Sequence, residues 1–288
     1  MNTPVNLTLT YLGTNCLVIS DDLTTLLIDP HFSRPADLIG PAILFKRIKP
    51  DKALIVSVLE KVGITSVDAI LITHTHYDHA LDAVETAHLT GASLIGSGSL
   101  SMLPGAGDLD ADKLVPAIDH SEFCFGKFSV SFLPSRHLPM PLISQWTALC
   151  GKEIKKPVTL PASALAYKEG DVYNIQVKHP EGAILILGTA SPMTGSIDSS
   201  IRNIALSVGG LNLKSKKYIE RYLESFCQKS SGTNYILTHW DDFSQPLSKP
   251  AHELPGMQRV YNIIQQKTAC WATNCKVVKP NIYETIVL

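Results

Sequence analysis

The chain has 288 residues, 45% of them hydrophobic and 18% charged, with a formal net charge of -1. That is a globular balance with enough apolar material for a core, and it supplies no whole-chain field to favour nucleic acid or an anionic membrane. No run approaches the roughly 18 apolar residues of a spanning helix, and Met1 to Asn6 lacks the basic and apolar regions of a secretory signal, so the expected compartment is the cytoplasm.

Leu7 to Tyr11 alternates and reads as a strand, punctuated by Gly13. Cys16 to Ile19 is a second strand, Asp21-Asp22 a turn, and Thr25 to Ile28 a third strand that ends at Asp29-Pro30-His31. Asp29 is either a turn former before proline or a buried carboxylate behind a site. His31 is expected to be exposed. Residues 30 to 66 contain Pro30, Pro35, Pro41 and Pro50 with apolar Leu38-Ile39 and Ile43 to Phe45 between them. A long connection of this kind, too apolar for disorder, reads as a flap or pocket wall.

Ala69 to Ile72 is short, apolar and rich in branched side chains, the pattern of a buried strand. It delivers Thr73-His74-Thr75-His76-Tyr77-Asp78-His79, three imidazoles and a carboxylate within six residues. A helix follows from Ala80, with Leu81, Val84 and Ala87 on one face and Gly91 as its stop. On a helix, side chains at i and i+2 diverge. On extended backbone they project to the same side, so His74 and His76 can share one ion while Asp78 and His79 point elsewhere, as ligands of a second ion would.

Ser93 to Gly96 is a strand. The Gly96-Ser97-Gly98-Ser99 run after it lacks the Lys-Ser/Thr of a phosphate-binding loop. Phe123 to Phe132 alternates around Gly126, predicting a hairpin that ends at His137. Residues 138 to 167 carry Pro139, Pro141, Pro157 and Pro161 and read as a second insertion shaping a pocket. Val172 to Val177 and Ala183 to Leu187 are strands, the latter ending at Gly188-Thr189-Ala190. Tyr218, Ile219, Tyr222, Leu223 and Phe226 recur at helical spacing. Tyr235 to Leu237 is a strand that ends at Thr238-His239-Trp240-Asp241-Asp242-Phe243, and a helix near Met257 to Gln266 precedes strands at Lys276 to Val278 and Tyr283 to Val287. The six cysteines, Cys16, Cys124, Cys150, Cys227, Cys270 and Cys275, are scattered, which in a cytosolic chain predicts free thiols.

The run His74-x-His76-x-Asp78-His79 resembles the metal signature of the metallo-β-lactamase superfamily, and the resemblance extends over nearly the whole chain. It implies an α/β fold, a four-layer αββα sandwich formed as a single domain over residues 1–288, with metal loops along one edge. It implies that His137 completes a first site with His74 and His76, and that His239 joins Asp78 and His79 in a second. Asp29 would lie behind the ligands and orient them. The family commonly has a bridging Asp after the strand that here ends at Thr189, and a neutral hydroxyl is a poor substitute for a carboxylate between two cations. Asp198, nine residues on, is too far along the chain to replace it. The second position is therefore expected to be weaker than the first. Trp240 to Phe243 is similar to a lactonase-like subgroup.

The implied function is hydrolysis of a small ester, lactone or phosphorylated metabolite by metal-activated water. Zinc suits imidazole-rich ligands, as one or two ions, with manganese or iron compatible with the same donors. Asp78 is the first candidate for general base if the second ion is absent, and Asp241 the next. The alternative is a redox or non-catalytic metal-binding protein of the same fold. The partner is a small-molecule substrate, with no nucleic acid and no membrane.

Overall fold

The computed structural model describes residues 6–34, 46–139, 153–227, 232–271 and 275–288. Its core is a pair of seven-stranded sheets. The first holds β1 (Thr8–Tyr11), β2 (Leu17–Ser20), β3 (Thr25–Ile28), β5 (Ala69–Leu71), β6 (Ser93–Gly96) and β7 (Leu114–Pro116) in that order, with β16 (Thr285–Val287) outside β1. The second runs β15 (Lys276–Val278), β14 (Asn234–Thr238), β13 (Asn203–Ser207), β12 (Gly182–Ile186), β11 (Tyr173–His179), β9 (Phe128–Pro134) and β8 (Glu122–Phe125). β3, β5, β6 and β7 are mutually parallel, as are β12, β13, β14 and β15.

Alternation along the strands separates two cores. In β3, Leu26 and Ile28 point between the sheets, where they meet Phe128, Phe132, Ile175 and Ile184. Leu27 points outward and packs with Ile70, Ile72 and Leu94 under the helices. Those helices are α1 (Lys52–Lys61) and α3 (Ala83–Thr90), whose Ile55, Val58, Leu59, Val84 and Ala87 are buried. On the second sheet, α4 (Lys216–Cys227) and α5 (Met257–Trp271) place Ile219, Tyr222, Leu223, Val260 and Ile264 in the inter-sheet cluster's outer extension. Helix, sheet, sheet, helix is the four-layer sandwich expected. Among the described residues no helix is long and apolar enough to cross a membrane.

Some local expectations need correction. The helix predicted from Ala80 is two pieces, α2 (Tyr77–Ala80) and α3, so Asp78 and His79 already lie in a helical turn. The segment 30–66 includes the ten-residue helix α1, capped where the Asp51 side chain accepts from Leu54 N. Its spacing, Ile55, Val58 and Leu59, was present in the sequence beneath the prolines. A short strand in that segment, β4 (Arg47–Ile48), pairs with β10 (Ala162–Ser163), so the two insertions are joined. Residues 35–45 and 140–152 of the insertions, and Cys150, lie outside the described residues. Cys16, Cys124 and Cys275 are free thiols.

Candidate metal centre

Parallel strands bring their C-terminal ends to one edge. One or two residues beyond their ends, β3 leads into Asp29, β5 into Thr73, β12 into Gly188 and β14 into His239. β9 is antiparallel to β11, and β11 to β12, so β9 also ends there and delivers His137. The edge is tied across the sheets by Tyr173 N donating to Thr73 O at 2.8 Å.

Here the predicted ligands gather in two groups, His74, His76 and His137, and Asp78, His79 and His239. Within each group the donor atoms lie within 4.8 Å of one another. His76 has extended backbone, φ -62 and ψ 152, so His74 and His76 do share a side of the chain. Their facing atoms, His74 Nε2 and His76 Nδ1, are 3.1 Å apart. Two nitrogens each about 2.0–2.1 Å from a tetrahedral ion stand roughly 3.4 Å apart, so this spacing suits one shared ion. His137 faces both rings, with centroids at 5.1 and 4.6 Å.

Hydrogen bonds on the far side of the rings set their tautomers. Thr73 Oγ1 donates to Asp29 Oδ2 at 2.7 Å and is left to accept from His74 Nδ1 at 3.2 Å, so His74 Nε2 is the free lone pair. His137 Nδ1 donates to Leu138 O at 2.9 Å, which likewise frees Nε2. His79 Nδ1 donates to Asp29 Oδ2 at 2.8 Å. Asp29 also accepts from Thr73 N and Asn15 Nδ2. It therefore ties Thr73 and His79 together from behind the turn. Its φ of 44° is uncommon for a side-chain-bearing residue and is held by these bonds.

Burial, and then the crowd of neighbouring imidazoles, holds His74 well below its ordinary pKa, and burial pushes His137 down to about 4. Both are thus neutral near pH 7, as a ligating imidazole must be. Burial opposes charge on Asp78, but His79 and His239 outweigh it and hold its carboxyl far below the usual range. Burial also opposes charge on His79, where Asp29 and Asp78 prevail and raise the pKa. Asp78 Oδ2 is 3.3 Å from His239 Nε2 and 3.7 Å from His79 Nε2. The donor set, five imidazoles and one carboxylate, fits a divalent borderline metal.

Three other predicted residues stand differently. Thr189 lines the cavity where a bridging Asp was expected, and its Oγ1 accepts from Leu138 N at 3.0 Å. It supports the backbone beside His137. Asp241 does not line the cavity. Its carboxylate is buried against Arg34 Nη1 at 2.7 Å and accepts from Tyr11 Oη and Thr14 N. Bound by three donors and 1% exposed, it stands behind the site as part of the scaffold and not on the cavity wall. His31, expected to be exposed, is fully buried beside Tyr77 and Phe243, because its Nδ1 meets Thr14 Oγ1 and its ring packs edge-on. Asp198 pairs with Lys178, away from the ligands.

The cavity over the ligands measures about 310 Å³. Its walls include Leu138, Ser207, Gly209, Leu213, Phe243 and Leu254, none of which the sequence reading assigned. Gly209 is there for space, because a Cβ at that position would lie 2.7 Å from the His239 ring. The Gly209-Gly210 pair after the apolar run Ile204 to Val208 was the available signal. A larger open cleft of about 1010 Å³, with Arg47, Lys155, Lys156 and Lys168 in its wall, holds none of the six ligands.

Residues 9–123 match the family described as the metallo-beta-lactamase superfamily. That match covers about two fifths of the chain. No curated protein matches it. Among solved structures it is similar to Igni18, a metallo hydrolase from Ignicoccus hospitalis, at 16% identity, with 98% of each chain covered and a TM-score of 0.56. It is similar at 15% identity, 98% coverage of each chain and a TM-score of 0.55 to an isothiocyanate hydrolase from Delia radicum gut bacteria. It is also similar to CmlA, a diiron beta-hydroxylase from Streptomyces venezuelae, at 12% identity and a TM-score of 0.53, covering 100% of this chain and 55% of that one. At these identities the likeness is one of fold.

Proposed function

We propose that this chain is a metal-dependent hydrolase of the metallo-β-lactamase type, acting on a small ester, lactone or phosphorylated metabolite in the cytoplasm. The observation that carries the reading is the meeting of two three-donor groups on one wall of one cavity. Neighbours of the same fold named as hydrolases support it. A metal held there supplies Lewis-acid polarisation of the scissile group and acidifies water to a pKa near 7.

The chain's own residues do the rest. His74, His76 and His137 would hold one ion through three protein donors, the number found in catalytic rather than structural sites. With Thr189 in place of a bridging carboxylate, the position at Asp78, His79 and His239 binds more weakly. When it is empty, Asp78 would be the carboxylate placed to accept a hydrogen bond from the attacking water and orient it. Zinc is the expected metal, and the diiron neighbour makes iron the other to be measured. Elemental analysis of the purified protein, with a panel of chromogenic esters, lactones, lactams and phosphodiesters, tests the reading. Asp78→Asn should lower turnover by about two to four orders of magnitude while the first position keeps its metal. Near-normal turnover in that variant would remove Asp78 from the chemistry, and an inactive but metal-replete wild type would favour the non-catalytic alternative.

A further inference from the structure

We infer that the cavity over the metal ligands selects a small, uncharged substrate with an apolar body, and rejects one that carries a phosphate or carboxylate away from the scissile bond. The inference rests on the hydrolytic reading for calling that ligand a substrate.

At about 310 Å³ the cavity lies at the small end of ligand pockets. Beyond the ligands its walls are Tyr77, Leu138, Leu213, Phe243 and Leu254, with small residues between them. Leu213 is 73% exposed, so the apolar surface continues to the mouth. A large apolar side chain left in water beside a polar centre is what a hydrophobic ligand would cover.

The polar wall groups beyond the ligands are neutral, Thr189, Ser207 and Asn212, and two of them have partners in the fold. Thr189 Oγ1 accepts from Leu138 N, and Asn212 Nδ2 donates to Pro255 O at 2.9 Å. Among the described residues neither Lys nor Arg lines the cavity. The cation next in sequence to Leu213, Lys214, holds its ammonium against the Pro139 carbonyl. Recognition of a phosphate or carboxylate calls on guanidinium, ammonium or clustered N–H donors. An anionic tail would therefore lose its hydration here without a partner in return.

The test uses two hydroxamates with the same chelating head, hexanohydroxamic acid and the monohydroxamate of adipic acid, which differ in the carboxylate at the end of the tail. Their affinities for the metal-loaded protein are read by calorimetry, with no turnover needed. The neutral tail should bind about a hundredfold more tightly, as expected for an unpartnered charge in an apolar site. Leu213→Lys, at an exposed position, should narrow that gap about fivefold by offering an exposed ion pair. Equal affinities, or a preference for the carboxylate tail in the wild type, would overturn the inference. Hydrolysis of p-nitrophenyl butyrate measures the hydrolytic reading separately. Its absence alongside a preserved preference for the neutral tail would remove the reaction and leave the cavity's selectivity standing.

Discussion

Arg34 and Asp241 form an ion pair that water does not reach, both side chains being 2% exposed or less. The pair is joined to the metal edge through one residue. Thr14 donates its N–H to Asp241 and accepts on its carbonyl from His239 N and Tyr11 Oη. Thr14 and His239 both have positive φ, 52° and 57°, so this contact joins two strained residues. Burial works against charge on Asp241, and Arg34 and Tyr11 overcome it and lower its pKa. Removing one member of such a pair leaves the other buried and unpaired. Arg34→Leu should therefore cost about 3–5 kcal/mol in urea unfolding, far more than a surface arginine would. Asp241→Asn should act on stability and on metal retention at His239. A stable, metal-replete but inactive Asp241→Asn protein would restore Asp241 to the chemistry.

Between elements, the decisive contacts are close ones. β13 lies parallel between β12 and β14, and the turn after it passes under the His239 ring. Gly209→Ala would put a methyl 2.7 Å from that ring. Metal affinity at the second position should fall while the first is kept, which a two-site calorimetric titration of chelated protein would resolve. At the junction of α2 and α3, Asp82 Oδ2 accepts from the backbone N–H of Phe32 and Ser33 at 2.6 and 2.7 Å, and its other oxygen is buried without a partner. Burial, only partly offset by those bonds, raises its pKa to about 6. An unfolded aspartate titrates near 3.9. Between those values the native state holds the proton and the unfolded state does not, so this group's contribution to stability falls as pH rises from about 4 to 6. The loss is on the order of 3 kcal/mol. Asp82→Asn should remove that component. The change in unfolding free energy between pH 4 and 7 should become more favourable to high pH than in the wild type, and identical profiles would refute the assignment.

For the molecule as a whole, two ligand groups each draw residues from both sheets. Metal binding is thus coupled to sheet association, and chelation should lower the melting temperature. An ion at about 1,000 times its Kd contributes about 4 kcal/mol, and at roughly 2–4 °C per kcal/mol for a chain of this size the expected drop is about 8–16 °C. The grouping of His74 with His76 was legible because period-two geometry fixes which histidines face together. His137 and His239 were legible by their place after apolar runs. What the sequence hid depends on distant partners. Nothing local to Asp241 shows that Arg34, 207 positions away, neutralises it. His31 looks exposed until Tyr77 and Phe243 are seen to close over it. α1 was obscured by the prolines around it, although Asp51 and the spacing of its buried residues marked it. β13, Asn203–Ser207, is a five-residue apolar stretch whose place between two parallel strands only the sheet reveals.

His179 and Asp21 are buried together at the opposite end of the sandwich, with Nε2 3.3 Å from Oδ2. His179 closes β11, and Asp21 stands in the turn between β2 and β3, where it also accepts from Leu23 N and Thr24 N. The two sheets are clasped at both ends, by unlike chemistry. The metal edge would add a dissociable ion to its cross-sheet hydrogen bonds, whereas the far clasp is a buried, non-covalent pair of the chain's own side chains. The molecule should therefore breathe like a clothes-peg, opening at the metal edge and pivoting on the far end. Amide exchange after chelation should quicken at the ends of β5, β9 and β14 and stay slow around Asp21 and His179. In that geometry the same motion that releases the ion also widens the cavity mouth at Leu213, so metal exchange and ligand entry would share one gate.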